Sequence, residues 1–509
     1  MPPLNVALNV ALNEQWNSFR RTLRRPRTIV HPVHTLPSEL IAEIFIFCLC
    51  QDGENLPRPS IRTPPLSLAR VCSAWRTVAL SVPELWASVV IGTWRSVRDE
   101  ETEAKALTEW LKRSGSYPLT LKLVDSDVDI NKFRPIDCKG RVLQTILPHA
   151  HRWKSVTVLA PTKCRCYFEI HATLTTPGFT PLLEEFRFLF ISNNPLDTRV
   201  SLWFTFVSAP QMKSLYLVGQ RNCQFRLSPL QNIGQLRELH LYSVPSISEC
   251  YNILDHCQLL EILDVLFEAV DNTPPHTNTN FAPILLRSLR VFTLAIFNLD
   301  ATPVLDKLCL PSLLHFDVHL SKYVNTSHEC ISRLLHRSQS PLQTLKITGG
   351  DFYGNDADII SCLRAAPNLD FLAGDDSIFC LAVVESLRVS ANGDTHLCPR
   401  LRTIEIIGFW RGTHVDLAVL APIVVSRSNM ARNEMSSVGC AWPIEVRIPQ
   451  GDIRHVLSHP GMSECIKNGM SVKEVYPTHR SDDWWNHAPE EPFRSNPLAL
   501  LMGESGRYL

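Results

Sequence analysis

The six residues Leu236-Arg-Glu-Leu-His-Leu (236–241) carry the pattern on which the rest of the chain is built. In an extended strand, successive side chains alternate between faces. Leu239 and Leu241 therefore share one side, and His240 lies on the other. The same hexad, with other apolar residues standing in for Leu, starts at Trp153, Leu183, Met212, Leu236, Leu260, Leu289, Leu313, Leu342, Leu369 and Leu401. The intervals between starts are 30, 29, 24, 24, 29, 24, 29, 27 and 32 residues. One such unit cannot bury its own apolar side, so neighbours must stack to supply a common core. Helical patterns at 202–208, 251–257, 330–336 and 358–365 lie between the hexads and would form the convex face. Pro210, Pro311, Pro341, Pro367 and Pro399 sit just before strands, where the chain turns out of a helix.

A period of this length resembles the leucine-rich repeats. The resemblance implies an α/β solenoid, a horseshoe with strands on its concave side, over residues 151–410. The Asn that regular repeats place after the strand is missing, so the horseshoe is expected to be irregular. A plain α/β domain of alternating helices and strands is the competing architecture. The fifth position of each hexad would face the concave side: Thr157, Arg187, Tyr216, His240, Asp264, Thr293, Asp317, Lys346 and Glu405. Their mixed signs suit a protein surface and argue against a phosphate-rich ligand. Arg187, Tyr216, His240, Asp264, Asp317, Lys346 and Glu405 are the candidate substrate-binding residues.

Upstream lie LPSELIAEIFIFCLC (36–50) and LSLARVCSAWRTVALSVPELWASVV (66–90). Pro37 suits a first helical position, and Glu39 suits the positive end of the helix dipole. Leu40, Ile41, Ile44, Phe45, Cys48 and Leu49 form a helical stripe, widened by Ile46 and Phe47. Leu68, Val71, Cys72, Trp75, Val78 and Ala79 form a second stripe, closed by Pro83 and followed by Leu85 and Trp86. So small a unit cannot bury all of these residues, so part of its apolar surface is available to be covered.

The anchors Leu36, Pro37, Glu39, Leu40, then Val71, Cys72, Trp75, Arg76, then Pro83, Leu85, Trp86 resemble an F-box of the form common in mushroom-type (basidiomycete) fungi. The match spans residues 36–90 and departs from a compact F-box at 51–65, a proline-rich insert that reads as a loop or as a device tuning which linker is accepted. The resemblance implies a non-catalytic substrate adaptor of a Skp–cullin–F-box ubiquitin ligase. The F-box would dock a Skp-type linker subunit, and through it a cullin and its RING partner. The repeats would hold a protein substrate. Leu36, Pro37, Leu40, Ile44, Val71, Trp75 and Trp86 either make that docking contact or build the fold that presents it. The alternative is a leucine-rich-repeat scaffold with no part in ubiquitination.

The other segments frame these two. Residues 1–35 hold a small tandem and the cluster Arg20, Arg21, Arg24, Arg25 and Arg27. A solvated lead-in helix, a nuclear-import or RNA-touching patch and a mitochondrial presequence compete for this arm. Residues 91–150 read as a helix (101–114) and a strand (117–124) that enter the solenoid. Residues 411–476 read as a closing cap with helices at 416–435, 452–457 and 462–468 and strands at 444–448 and 471–476. The tail 477–509 reads as disordered, with Trp484-Trp485 either a docking motif or a tuck onto the solenoid end.

Composition removes several function classes. Fifty basic and fifty acidic residues balance, which gives no pull toward nucleic acid or an anionic membrane. No apolar run reaches the ~20 residues of a membrane span. The sixteen cysteines are scattered and read as free thiols of a reducing compartment, cytoplasmic or nuclear. Nucleotide-binding, hydrolase and zinc-protease motifs are missing, so no catalytic residue and no cofactor is expected. Asp125-Ser-Asp-Val-Asp fails as a calcium loop at Ile130 and Ile136 and reads as an acidic turn. Cys48-Leu-Cys50 and Cys164-Arg-Cys166 have no second pair at zinc spacing. His315 and His319 read as ordinary strand histidines, so no metal site is expected.

Overall fold

The computed structural model describes Glu14 and residues 36–49, 56–92, 97–124, 140–161, 166–191, 200–219, 223–228, 233–244, 246–268, 283–297, 299–320, 327–349, 356–375, 378–388, 397–407, 423–427, 445–449, 460–467 and 470–475. The basic arm other than Glu14, the acidic stretch at 125, Cys50, Cys164, the expected helix at 452–457 and the Trp484-Trp485 tail lie outside these residues. Of the expected helix at 416–435, residues 423–427 are described, and they are helical.

The protein is mixed α/β, built on one large parallel sheet. In chain order its strands are β1 (Ser88–Gly92), β2 (Leu119–Val124), β3 (Trp153–Pro161), β4 (Glu185–Ile191), β5 (Val200–Phe204), β6 (Ser214–Gly219), β7 (Cys223–Leu227), β8 (Glu238–Val244) and β9 (Ile262–Glu268). Then follow β10 (Ile284–Leu285), β11 (Val291–Phe297), β12 (Leu308–Cys309), β13 (His315–Leu320), β14 (Thr344–Gly349), β15 (Phe371–Gly374), β16 (Thr403–Ile406), β17 (Glu445–Pro449) and β18 (Ser471–Val475). Fourteen of these form the sheet, in the order β1-β2-β3-β4-β6-β8-β9-β11-β13-β14-β15-β16-β17-β18. β5 with β7 and β10 with β12 make two small parallel sheets. The main sheet runs past 151–410 at both ends, from β1 to β18.

Burial follows the hexad. Every first position from Trp153 through Leu401 has no exposed surface. Fourth positions (Val156, Phe186, Leu215, Leu239, Leu263, Phe292, Phe316, Leu345, Leu372, Ile404) are buried with them. Sixth positions other than Gly374 pack into the same core, together with the apolar sides of the helices Ile247–His256, Glu329–Ser338, Asp356–Arg364 and Leu381–Leu387. The helices therefore cover one face of the sheet. A second regularity ties the strand entries. The backbone N–H groups of Lys213, Arg237, Glu261, Arg290, Leu314, Gln343, Asp370 and Arg402 each donate to the corresponding carbonyl one repeat earlier, at 2.7–2.9 Å.

Residues 202–208, read from sequence as a helix, belong in part to β5 instead. Leu202 and Phe204 point inward and Trp203 outward, a period of two. Three aromatic residues within 203–206 favour the pleated surface, and Phe204 packs among Phe186, Phe188, Phe206 and Phe225.

The N-terminal unit comprises α1 (Ser38–Phe47), a 3-10 turn Leu68–Arg70, α2 (Ser73–Ser81) and a second 3-10 turn Pro83–Trp86. Pro37 is the cap before α1 rather than its first residue. The stripe read as one helix from Leu68 to Ala79 is broken at Cys72, whose backbone is extended and whose Sγ accepts from the Trp75 N–H at 3.4 Å. The second turn leads straight into β1. Part of the 51–65 insert lies along that edge: the Val90 N–H donates to the Pro57 carbonyl at 2.8 Å. The insert thus occupies a donor of an edge strand that would otherwise be open to pairing.

Candidate functional site

α1 has two apolar sides. Ile41 and Phe45 face inward, and Phe45 meets the Trp75 ring edge-to-face at 5.0 Å. Leu40, Ile44 and Phe47 follow at i, i+4 and i+7 on the other side, 50%, 45% and 71% exposed. Val71 and Leu80 are also exposed. The expected docking residues therefore separate into two roles. Pro37, Leu40, Ile44 and Val71 lie open to solvent, and Leu36 and Trp75 are half-buried against the core. Trp86 is fully buried. Its Nε1–H donates to the Ala79 carbonyl at 2.8 Å, its ring meets Trp110 of α3 (Val97–Arg113) at 4.8 Å, and the Arg113 guanidinium lies over it at 4.7 Å. Trp86 joins the helical unit to the sheet and has no surface left for a partner.

The second candidate surface is the sheet face opposite the helices. The fifth hexad positions stand in one continuous register across it. Thr157 pairs with Arg187, Arg187 with Tyr216, Tyr216 with His240, His240 with Asp264, Asp264 with Thr293, and Thr293 with Asp317. Asp317 pairs with Lys346, which reaches Glu405 through Ala373. All seven candidate substrate residues therefore share one row. The row also takes in Lys122 before Thr157, and Arg447 and Lys473 after Glu405. Those three were missed because their strands lack the opening apolar residue of the hexad. The alternation in Leu119-Thr-Leu-Lys and Glu445-Val-Arg-Ile was the available signal.

Neighbours along the row touch. The Arg187 guanidinium lies over the Tyr216 ring at 4.2 Å and pairs with Glu185. The Tyr216 and His240 rings stack at 4.2 Å, and Tyr216 donates its hydroxyl to Glu238 at 2.7 Å. Asp264 Oδ2 accepts from the Tyr242 hydroxyl at 2.6 Å and faces His240 Nδ1 at 3.3 Å. Further along, Arg447 joins Glu405 at 3.3 Å and Glu445, and Lys473 reaches Glu445 at 2.7 Å. Burial pushes the Asp317 carboxyl up, helped by Asp264 and Glu405 and opposed by Lys346. Burial also works against the charge on Glu445, but hydrogen bonds from Lys473 and Arg447 prevail and hold that carboxyl below its ordinary value.

A second row on this face is apolar and buried: Leu159, Leu189, Val218, Tyr242, Leu266 and Ala295, a cluster separate from the main core. This face is thus a polar row, buried at Tyr216 and His240 and half-buried at Arg187, Asp264, Asp317, Lys346 and Glu405, beside a buried apolar one. His315 and His319 lie on it too, against Thr344 at 3.0 Å and Thr348 at 2.6 Å. Among the described residues no group of three His, Cys, Asp or Glu side chains is arranged to hold a metal ion. Among them, too, no helix is long and apolar enough to cross a membrane. Burial raises the thiols of Cys250, Cys257, Cys330 and Cys398 to about 12, which makes them poor nucleophiles at neutral pH.

No family model and no curated protein matches the chain. Among solved structures it is similar to the yeast Rad7–Elc1 complex, at 15% identity over 82% of this chain and 96% of that one, with a TM-score of 0.31. A complex of TLR13 with a single-stranded RNA is matched at 14% identity over 50% of this chain and 38% of that one, with a TM-score of 0.25.

Proposed function

We propose that the chain is a substrate adaptor of a Skp–cullin–F-box ubiquitin ligase. The unit at 36–90 docks a Skp-type linker subunit, and the open sheet face holds a protein to be ubiquitinated. The adaptor does no bond chemistry. It raises the concentration of its bound partner near the charged conjugating enzyme. The observation that carries this reading is the outward apolar side of α1, Leu40, Ile44 and Phe47, which a helix serving only its own core would not need.

Fully burying a Leu, Ile or Phe side chain contributes ~1.5–3 kcal/mol. Roughly half of that is still available at each of these three positions, together about 3 kcal/mol or ~10²-fold in affinity. Co-purification of the full chain with a Skp-type linker tests the reading. Leu40→Ala with Ile44→Ala and Phe47→Ala should weaken capture by about that factor while the fold persists. Undiminished capture by the triple variant sinks the docking assignment. No capture by the native chain leaves the repeat region as an interaction scaffold outside ubiquitination.

A further inference from the structure

The open sheet face is balanced in charge at its flanks but not at its centre. Near β4, Glu185 is matched by Arg187, and across β16 to β18 Glu405 and Glu445 are matched by Arg447 and Lys473. Between them, the described open-face side chains of β8, β9, β11 and β13 include Glu238, Asp264 and Asp317, with the histidines His240, His315 and His319 but no Lys or Arg, and the next cation in the row is Lys346 on β14, in register with Asp317. The two aspartates flank Thr293 in register, two strands apart. That places their Cα atoms about 10 Å from each other.

The surroundings sharpen the imbalance. The Tyr242 hydroxyl and His240 occupy Oδ2 of Asp264, while Oδ1 is shielded from solvent and accepts no hydrogen bond among the described residues. Asp264 raises the carboxyl of Asp317, so the two repel across Thr293, and among the described residues Lys346 is the cation that pulls Asp317 back. Apolar groups border the carboxylates: half-buried Ile262 and Val291 in the row on one side, buried Leu266 and Ala295 in the row on the other. An aliphatic stem ending in a positive charge matches both features, because Lys and Arg lay their methylenes on apolar surface and keep the charged head among polar groups.

We infer that the window centred on Thr293, between Asp264 and Asp317, receives an arginine or lysine side chain, and that the protein segment docking on this face is basic. This rests on the reading of the open face as the partner surface. It names the partner's chemistry, which the resemblance to F-box proteins leaves open.

The test is fluorescence anisotropy with the full chain and two labelled probes, an alternating Lys-Ala peptide and its Glu-Ala counterpart. The Lys-Ala peptide should bind, weaken with added salt, and lose at least about tenfold in affinity in Asp264→Asn with Asp317→Asn. The Glu101→Gln with Glu385→Gln variant removes the same charge from exposed helix positions and should bind as the native chain does. Asp317→Asn alone, at a side chain that makes no hydrogen bond among the described residues, serves if the double variant fails to fold. Equal loss in the control variant, equal binding of the Glu-Ala peptide, or no binding of the Lys-Ala peptide overturns the inference. Linker capture should survive Asp317→Asn, and peptide binding should survive Leu40→Ala with Ile44→Ala, so failure here is distinguishable from failure of the adaptor reading.

Discussion

The imidazole of His240 lies flat on the phenol ring of Tyr216, with centroids 4.2 Å apart and planes within 9° of parallel. The two residues are 24 apart in sequence and directly paired across β6 and β8. This stack sits mid-row, between the guanidinium of Arg187 and the carboxylate of Asp264, and it aligns groups on four strands. The Tyr216 hydroxyl is held by Glu238, so Tyr216→Phe should cost about 1 kcal/mol, a typical net hydrogen bond. Tyr216→Ala, which empties a fully buried site, should cost ~3–5 kcal/mol. Urea denaturation separates the two; equal losses would mean that the ring contributes nothing beyond its hydroxyl.

Trp86 and Leu40 should behave in opposite ways. Trp86→Ala removes a buried ring from the joint between the helical unit and β1 and is expected to destabilise by ~3–5 kcal/mol. Leu40→Ala, at a half-exposed position, should leave stability within about 1 kcal/mol and act on partner capture instead. Thermal melts run beside the capture assay check the pair. A large melting shift for Leu40→Ala would place that residue in the core.

Asp317 makes the native state sensitive to pH. An acid whose folded pKa lies above its unfolded value binds protons more tightly when folded. Its contribution is fullest below the ordinary carboxylate range near ~4 and is lost as pH rises through the raised value. Asp317→Asn should therefore raise the melting temperature at neutral pH, with the gain vanishing in acid. Glu445 runs the other way. Its lowered carboxyl stabilises above the ordinary range and loses that effect as pH falls, so Glu445→Gln should lower the melting temperature at neutral pH. Melts of both variants from acid to neutral pH would expose a wrong sign in either.

Arg427 is fully buried and donates to the carbonyls of Leu387, Cys398 and Leu397 at 3.1, 3.0 and 2.6 Å. Each carbonyl is held by a different nitrogen of the planar guanidinium, and the single ammonium of Arg427→Lys, although it carries three N–H groups, cannot reach all three positions at once. It should cost ~2–4 kcal/mol and raise amide exchange around 397–407 first. Exchange unchanged there would show that the clamp is dispensable.

Thiol reactivity should follow burial. Alkylation at neutral pH is expected to label exposed Cys48 well before Cys250, Cys257, Cys330, Cys362 and Cys398. Peptide-resolved mass spectrometry reads the order, and early labelling of Cys362 would mean that its repeat opens locally.

The chain's own pattern determined a great deal. The hexad placed ten strands, sent first, fourth and sixth positions inward, and named nine residues of a row that the fold aligns across the sheet. Period-two alternation and a fixed apolar position leave little freedom in register, because a slip of one residue would expose the core face. Three things were decided only by tertiary structure. Trp86 went to a joint and Leu40 to the surface, since an apolar stripe does not say which of its sides a neighbour covers. Val200–Phe204 became a strand because β7 offered it a partner edge. The unbalanced centre of the open face arises because Asp264 and Asp317, 53 residues apart in sequence, come to flank one threonine. Charge balance along a chain is a sum over sequence; the field at a surface is set by which residues the register makes neighbours.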